Sequence, residues 1–351
     1  MRKGLWLAAA TALLFTSAQP ALAAEELTSK QAGQVVDTLV AELNGYFDPA
    51  KAQTVQAALK AQRGQFVRIH DRAALADALS AVTLKVSGDQ HMKVTVTTAN
   101  AQAVRLSDAD EVLVDKRLAY GLMAARRLPA NIGYLKLRYF EQGEEGAAMI
   151  DAALGLLKDT DALIIDLREN TGGGGATDER LLGQLSRAPL VMEAIRWRDP
   201  DGKTTTLSRH VRQGPGDPLY ADKPVYLLVG GQTFSAAEAF AYTMQANKRA
   251  VLVGTRTRGG GNPANRPKPN LGFGLVAFIP NGQVVHPLTG GGWEGVGVKP
   301  DVETPLDGAL TEAYRRALAA AKPLVSTPKS EKERADAVAD PAKALIADQA
   351  L

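Results

Sequence analysis

The chain is predicted to be a mixed α/β (α+β) protein in which a small helical unit precedes a sheet-forming core. In the first quarter of the chain, apolar residues recur at helical spacing. Further on, strand-like runs at residues 132–140, 163–167 and 224–229 alternate with helical stretches. Hydrophobic residues make up 45% of the sequence, ample material for a core.

In chain order, Arg2 and Lys3 stand ahead of an apolar run at residues 4–15, and Ala21-Leu22-Ala23 follows. Charged, apolar and small-residue regions in that order predict a secretory signal over residues 1–23, with a mature chain beginning at Ala24 and exported to a periplasm or beyond the cell. The apolar run is too short to cross a bilayer, and no later stretch has the roughly 18 uninterrupted apolar residues a span needs. There is no cysteine, so disulfides and thiolate metal sites are excluded. Removing residues 1–23 takes two of the 41 basic residues and none of the 38 acidic ones, leaving a formal charge of about +1. That balance argues against a nucleic-acid partner.

Between residues 28 and 47, Val35, Val36, Leu39, Val40, Leu43, Tyr46 and Phe47 lie at helical spacing, and residues 71–84 repeat the pattern through Ala74, Leu75, Ala78, Leu79 and Val82. Residues 24–87 are therefore expected to form the helical unit. Alternation begins at residues 93–97, residues 144–157 are helical in pattern, and the strand at 224–229 runs through Gly230-Gly231 into an alanine-rich helix at 234–246. Glycines divide residues 251–298 into short strands, and residues 309–321 predict a closing helix. Residues 88–325 are expected to form the second unit. The charged tail, 326–351, has one weakly helical stretch at 341–351 and is expected to be a loose appendage.

Two segments carry candidate chemistry. Gly230-Gly231-Gln232-Thr233-Phe234-Ser235-Ala236-Ala237-Glu238 puts a hydroxyl where a strand turns into a helix. The helix N-terminus favours a developing anion there, although Ser235-Ala236-Ala237-Glu238 also fits the S-x-x-E capping box, in which the serine only satisfies a helix end. Ile164-Ile165-Asp166-Leu167-Arg168-Glu169-Asn170-Thr171-Gly172-Gly173-Gly174-Gly175 is a strand running into four glycines. It lacks the spacing of a nucleotide-phosphate loop, and glycines bring backbone N–H groups close to a ligand, as an oxyanion hole requires. A flexible loop is the plainer alternative.

Together these segments resemble the tail-specific, or carboxyl-terminal-processing, serine protease family, in which a DLRxNxGG strand lies upstream of a serine opening a helix that reads SAxE. A third block, Thr289-Gly290-Gly291-Gly292-Trp293-Glu294-Gly295-Val296-Gly297-Val298-Lys299-Pro300-Asp301, is similar to the WEGVGVxPD signature of the branch containing interphotoreceptor retinoid-binding protein and the tricorn protease core. The resemblance covers roughly residues 28–305 and implies a crotonase-like spiral of β-β-α units. Members with a serine-lysine dyad read VGxxTxGKG, whereas this chain has Gly260 in the lysine's place within Val253-Gly254-Thr255-Arg256-Thr257-Arg258-Gly259-Gly260-Gly261. Arg256 and Arg258 cannot act as the base, because a guanidinium stays protonated. Of the four histidines, His91 in Asp89-Gln90-His91-Met92-Lys93-Val94 resembles the family's DxHxxV segment; His70, His210 and His286 are read as surface or structural.

The resemblance therefore implies a serine endopeptidase acting through an acyl-enzyme on Ser235, with His91 as general base. Glu294 is the expected support of His91, although Gln90 replaces the serine that bridges the two in tricorn-like members, so the relay is expected to be shorter, indirect or absent. Ala236 replaces the aspartate that selects basic substrates there. The amides of Gly172 or Gly173 and of Ala236 are the expected oxyanion hole. No metal or organic cofactor is implied. The substrate is expected to be an extended polypeptide, and the roughly 36 residues between Thr95 and Asn131 leave no room for a PDZ insert of about twice that length. A binding protein of the same fold carrying an apolar ligand or peptide is the rival reading.

Overall fold

The structure, a computed structural model, describes residues 26–97, 108–211 and 216–349. The expected signal at residues 1–23 lies outside them. The chain opens with α1 (Ser29–Glu42), α2 (Pro49–Phe66) and α3 (Arg72–Ser87), followed by β1 (Lys93–Val96), α4 (Asp108–Arg117), β2 (Leu122–Leu128), β3 (Ile132–Leu137), α5 (Glu144–Leu157), β4 (Ala162–Asp166) and α6 (Ala176–Leu185). Next come β5 (Ala194–Arg198), β6 (Thr204–Ser208), β7 (Val225–Val229), α7 (Ala236–Ala246), β8 (Val251–Gly254), β9 (Asn270–Gly272), β10 (Leu275–Phe278), β11 (Gly282–Val285) and β12 (Val302–Glu303). The helices α8 (Ala309–Ala320), α9 (Pro328–Ala339) and α10 (Pro341–Gln349) close it. This is the expected mixed α/β fold with a helical N-terminal region.

The main sheet runs β12-β8-β7-β4-β3-β2, parallel from β12 to β3, with β2 antiparallel at its edge. Its central strands are buried on both faces, so they read as unbroken apolar runs and not as alternating ones. Leu163, Ile165 and Leu167 face a core shared with α5, α6 and α7; Ala162 and Ile164 face α8, α9 and α10 on the other side. The helices α1–α3 bury Val35, Leu39, Leu59, Leu75 and Leu79 in one core with Leu271, Leu275 and Ala277 from the small β1-β10-β9 sheet.

Two differences from the sequence reading stand out. α2 was not anticipated, although Asp48 accepts from the amides of Ala50 and Lys51 and Pro49 occupies the first helical position, both start signals. The C-terminal residues are not a loose appendage. α9 and α10 pack on α8 with Ala337 and Leu345 buried, Glu333 Oε1 accepts the Ala130 amide at 2.8 Å, and Arg334 donates to the carbonyls of Leu318 and Ala321. One buried apolar residue per helix serves there, and polar side chains of α9 anchor it further to backbone groups of neighbouring turns.

Candidate active site

The parallel strands β4 and β7 are neighbours, so the loops leaving their C-terminal ends meet, at the edge where such sheets place ligands. The Phe234 amide donates to the Asn170 carbonyl at 3.0 Å and the Thr233 hydroxyl to the Leu167 carbonyl at 2.7 Å, tying the serine turn to the glycine loop.

Ser235 immediately precedes α7 with φ 55° and ψ −123°, a conformation that costs a non-glycine residue of the order of 1–3 kcal/mol unless its surroundings impose it. Only half of the capping box forms. The Glu238 carboxylate accepts the Ser235 amide at 3.0 Å, but the Glu238 amide bonds the Ser235 carbonyl, not the hydroxyl. The hydroxyl is thereby left for another partner, and its Oγ lies 3.2 Å from His91 Nε2.

His91 comes from the turn between α3 and β1. Gly88 ends α3 in the left-handed region, and the buried Asp89 accepts the amides of His91 and Met92 on Oδ1 at 2.9 and 3.2 Å. Its Oδ2 accepts the Tyr46 hydroxyl at 2.9 Å and Asn262 Nδ2 at 3.0 Å, so the helical unit and the residue 262 loop both brace the histidine turn. Burial and the neighbouring Glu294 charge raise the Asp89 acid above its ordinary value. The imidazole lies 4.5 Å from the Phe234 ring and 5.7 Å from the Phe278 ring.

Glu294 Oε2 stands 3.9 Å from His91 Nδ1, beyond hydrogen-bond reach, and Nδ1 is buried without a hydrogen-bond partner among the described residues. The carboxylate reaches the histidine turn through backbone amides and not through a bridging side chain. Its Oε1 accepts the Gln90 backbone amide at 2.8 Å and its Oε2 the amides of Gly261 and Asn262 at 2.6 and 2.8 Å. Any residue but proline at position 90 supplies that amide, which is why the absence of the serine does not detach Glu294. Burial would raise its acid, but nearby His91 and these three amides hold it below the usual value, as a carboxylate.

The Gly172 amide already donates to Asn170 Oδ1 at 2.9 Å. Among the described residues no hydrogen bond engages the amides of Gly173 or Ala236, so of the three expected donors these two are free. A Cβ on Gly172 would lie 2.7 Å from Ser235 Cβ, and one on Gly173 2.1 Å from the Phe140 carbonyl oxygen, so glycine is required at both. At Gly260, where dyad members carry lysine, a Cβ would sit 2.0 Å from the Phe234 ring. The phenyl group that packs on His91 occupies the space a lysine would need.

Asp89, His91 and Glu294 bring donor atoms within 4.8 Å of one another, the one grouping of metal-ligand type among the described residues. Every carboxylate oxygen in it already accepts an N–H or O–H, and those bonds would have to break before a cation could bind. His70 Nδ1 meets the Leu27 carbonyl, His210 is exposed, and buried His286 bonds the Val191 carbonyl at 3.0 Å, away from the serine. Sequence reasoning missed the roles of Asp89, Asn170, Phe234 and Asn262. Asp89 and Asn170 lie inside the recognised motifs, whereas Asn262 has no local signal.

A family model described as Peptidase family S41 matches residues 131–304. The chain is 29% identical over 184 residues to carboxyl-terminal-processing peptidase 1, chloroplastic, of Arabidopsis thaliana, covering 50% of this chain and 35% of that protein. It spans about a third of the length of the curated carboxyl-terminal-processing relatives it matches. Among solved structures, a putative peptidase from Parabacteroides merdae matches with a TM-score of 0.55 at 18% identity, over 80% of this chain and 90% of that one. Mature CPAF matches with a TM-score of 0.56 at 15% identity, over 80% and 94%. At such identities these two likenesses speak to the fold alone.

Proposed function

From a chain that belongs to peptidase family S41, the tail-specific peptidases, we propose an exported serine endopeptidase that processes polypeptides through an acyl-enzyme on Ser235. The observation that carries this reading is the 3.2 Å approach of His91 Nε2 to a serine hydroxyl that does not cap its own helix. His91 takes the Ser235 proton as Oγ attacks a peptide carbonyl. The carbonyl oxygen, now an anion, is held by the amides of Ala236 and Gly173 at the positive end of α7. His91 returns the proton to the leaving amine, and water repeats the sequence to release the acyl group. Glu294 holds the histidine turn through the Gln90 amide and places a negative charge beside the imidazolium as it forms.

The substrate is an extended, unfolded polypeptide segment, and the near-neutral charge of the mature chain fits no nucleic-acid partner. Export rests on residues 1–23, and among the described residues no helix is long and apolar enough to cross a membrane. We place the helical unit at residues 24–87 and the catalytic unit at 88–325. A fluorophosphonate probe tests the reading: the wild-type protein is expected to be labelled at Ser235 and to cleave unfolded casein. An unlabelled wild type would indicate a binding protein of the same fold.

A further inference from the structure

One loop of the molecule serves two carboxylates. The amides of Gly259 and Gly260 donate to Glu238 at 2.6 and 2.7 Å, and the next two, of Gly261 and Asn262, donate to Glu294. Glu238 is fully buried and takes two further donors, the Thr257 hydroxyl at 2.5 Å and the Ser235 amide at 3.0 Å. Each of its oxygens therefore accepts two hydrogen bonds, all from neutral groups. Through this carboxylate the backbone of the proposed nucleophile is fastened to the loop that also fixes Glu294 beside His91.

We propose that Glu238 is a positioning residue for the chemistry at Ser235, working as a carboxylate clamp that one proton opens. This rests on the serine-peptidase reading given above. A protonated carboxyl carries an O–H that needs an acceptor, yet three of its four partners are backbone amides that only donate, and the fourth, the Thr257 hydroxyl, already accepts the Val298 amide, so a proton on the oxygen shared by Ser235 and Gly260 sets donor against donor. Ser235 keeps its φ of 55° only while its surroundings impose it. Without the acceptor on its amide, the turn is free to relax and carry Oγ away from His91.

Burial pushes the Glu238 acid up to about 7, against the pull of Thr257 and of the amides of Gly260, Gly259 and Ser235. Proton uptake by the clamp therefore falls in the neutral range. The titratable and charged groups around it are His91 and Glu294 beyond the serine and the loop, Arg256 and Arg258 leading into the loop, and Tyr242 on α7. None forms a hydrogen bond or ion pair with it: the Arg256 guanidinium donates to the Val296 carbonyl, Arg258 lies over the Phe234 ring, and the Tyr242 hydroxyl bonds Thr289.

The test is the rate of fluorophosphonate labelling from about pH 5 to about pH 9. Wild type should show an acid limb to which proton uptake by Glu238 contributes. Glu238→Gln removes that contribution and turns an amide N–H against the donors. Its limb should be less steep, and its plateau rate should fall by about tenfold or more for a displaced nucleophile. Thr257→Val removes one donor to the carboxylate and should move the acid limb to higher pH. A folded Glu238→Gln protein with wild-type rate and limb would overturn the inference. If that variant does not fold, an unmoved limb in Thr257→Val overturns it. A wild-type protein unlabelled at every pH would sink the serine-peptidase reading and this inference together; normal labelling with an unaltered Glu238→Gln profile sinks the inference alone.

Discussion

Glu294 Oε2 lies 3.9 Å from His91 Nδ1, while Glu294 Oε1 bonds the Gln90 amide at 2.8 Å. The carboxylate thus fixes the histidine turn through its backbone and acts on the imidazole through charge. Its removal should cost less than removal of the imidazole. His91→Ala should lower kcat by about two orders of magnitude or more, the usual scale for a general base. Glu294→Gln keeps the side-chain volume and should lower kcat by a smaller factor, with His286→Ala as an unaffected control. Steady-state cleavage of a quenched peptide measures all three. Equal losses in the two site variants would show that the imidazole depends wholly on the carboxylate.

Ser235 adopts φ 55° and its hydroxyl caps nothing. Ser235→Ala should therefore abolish labelling without the stability loss of about 1 kcal/mol that a missing cap brings. Ser235→Gly, equally inactive, should be at least as stable as Ser235→Ala, because glycine occupies this conformation without strain. Chemical denaturation of both variants decides the matter, and a Ser235→Gly protein clearly less stable than Ser235→Ala would show the backbone to be unstrained.

A side chain at Gly260 must displace Phe234, whose ring packs on His91. Gly260→Ala is expected to slow peptide cleavage by about tenfold or more through misplacement of the imidazole. Gly260→Lys should not restore activity to His91→Ala, since the space for a dyad lysine is filled. Recovery of cleavage in that double variant would show the slot to be open.

Asp166 is fully buried, accepting Arg168 Nη2 at 2.6 Å, Arg168 Nε at 3.0 Å and the Tyr134 hydroxyl at 2.7 Å. Burial pushes its acid upward, but the Arg168 and Tyr134 contacts more than offset that and hold it below the ordinary value. A carboxyl depressed in the folded state contributes stability above its unfolded pKa, and that contribution is lost as pH falls through the folded value. Asp166→Asn should therefore destabilise the protein by about 2 kcal/mol or more at neutral pH. The difference from wild type should shrink below about pH 4, and urea titrations at neutral and acid pH would reveal it. A gap independent of pH would mean that the charge contributes nothing.

Much of the fold was legible because its signals are local. The helix at Glu144–Leu157 and the strands at β4 and β7 follow from residues within a turn or two of each other, and the two central strands are apolar apart from Asp166 at the end of β4 because both their faces are covered. Ser235 and the glycine loop were legible for a related reason, since a strand running into glycine and then into a helix writes its geometry into contiguous residues. Asp48 and Pro49 write the start of α2 just as locally.

By itself the sequence determined the alternation of elements, the residue types that carry the proposed chemistry and the absence of a lysine at position 260. Tertiary structure decided which of those residues meet. Ser235 and His91 are 144 positions apart, and Gln90 and Glu294 are 204 apart. No periodicity connects such pairs, and they touch only because β4 and β7 pair in parallel and α3 packs its C-terminal turn against the residue 262 loop. The same folding turned the Gly172 amide to Asn170, left Gly173 and Ala236 free, and gave Glu238 four donors from two segments. Backbone amides have no sequence signature, and their directions exist only once the chain has closed on itself.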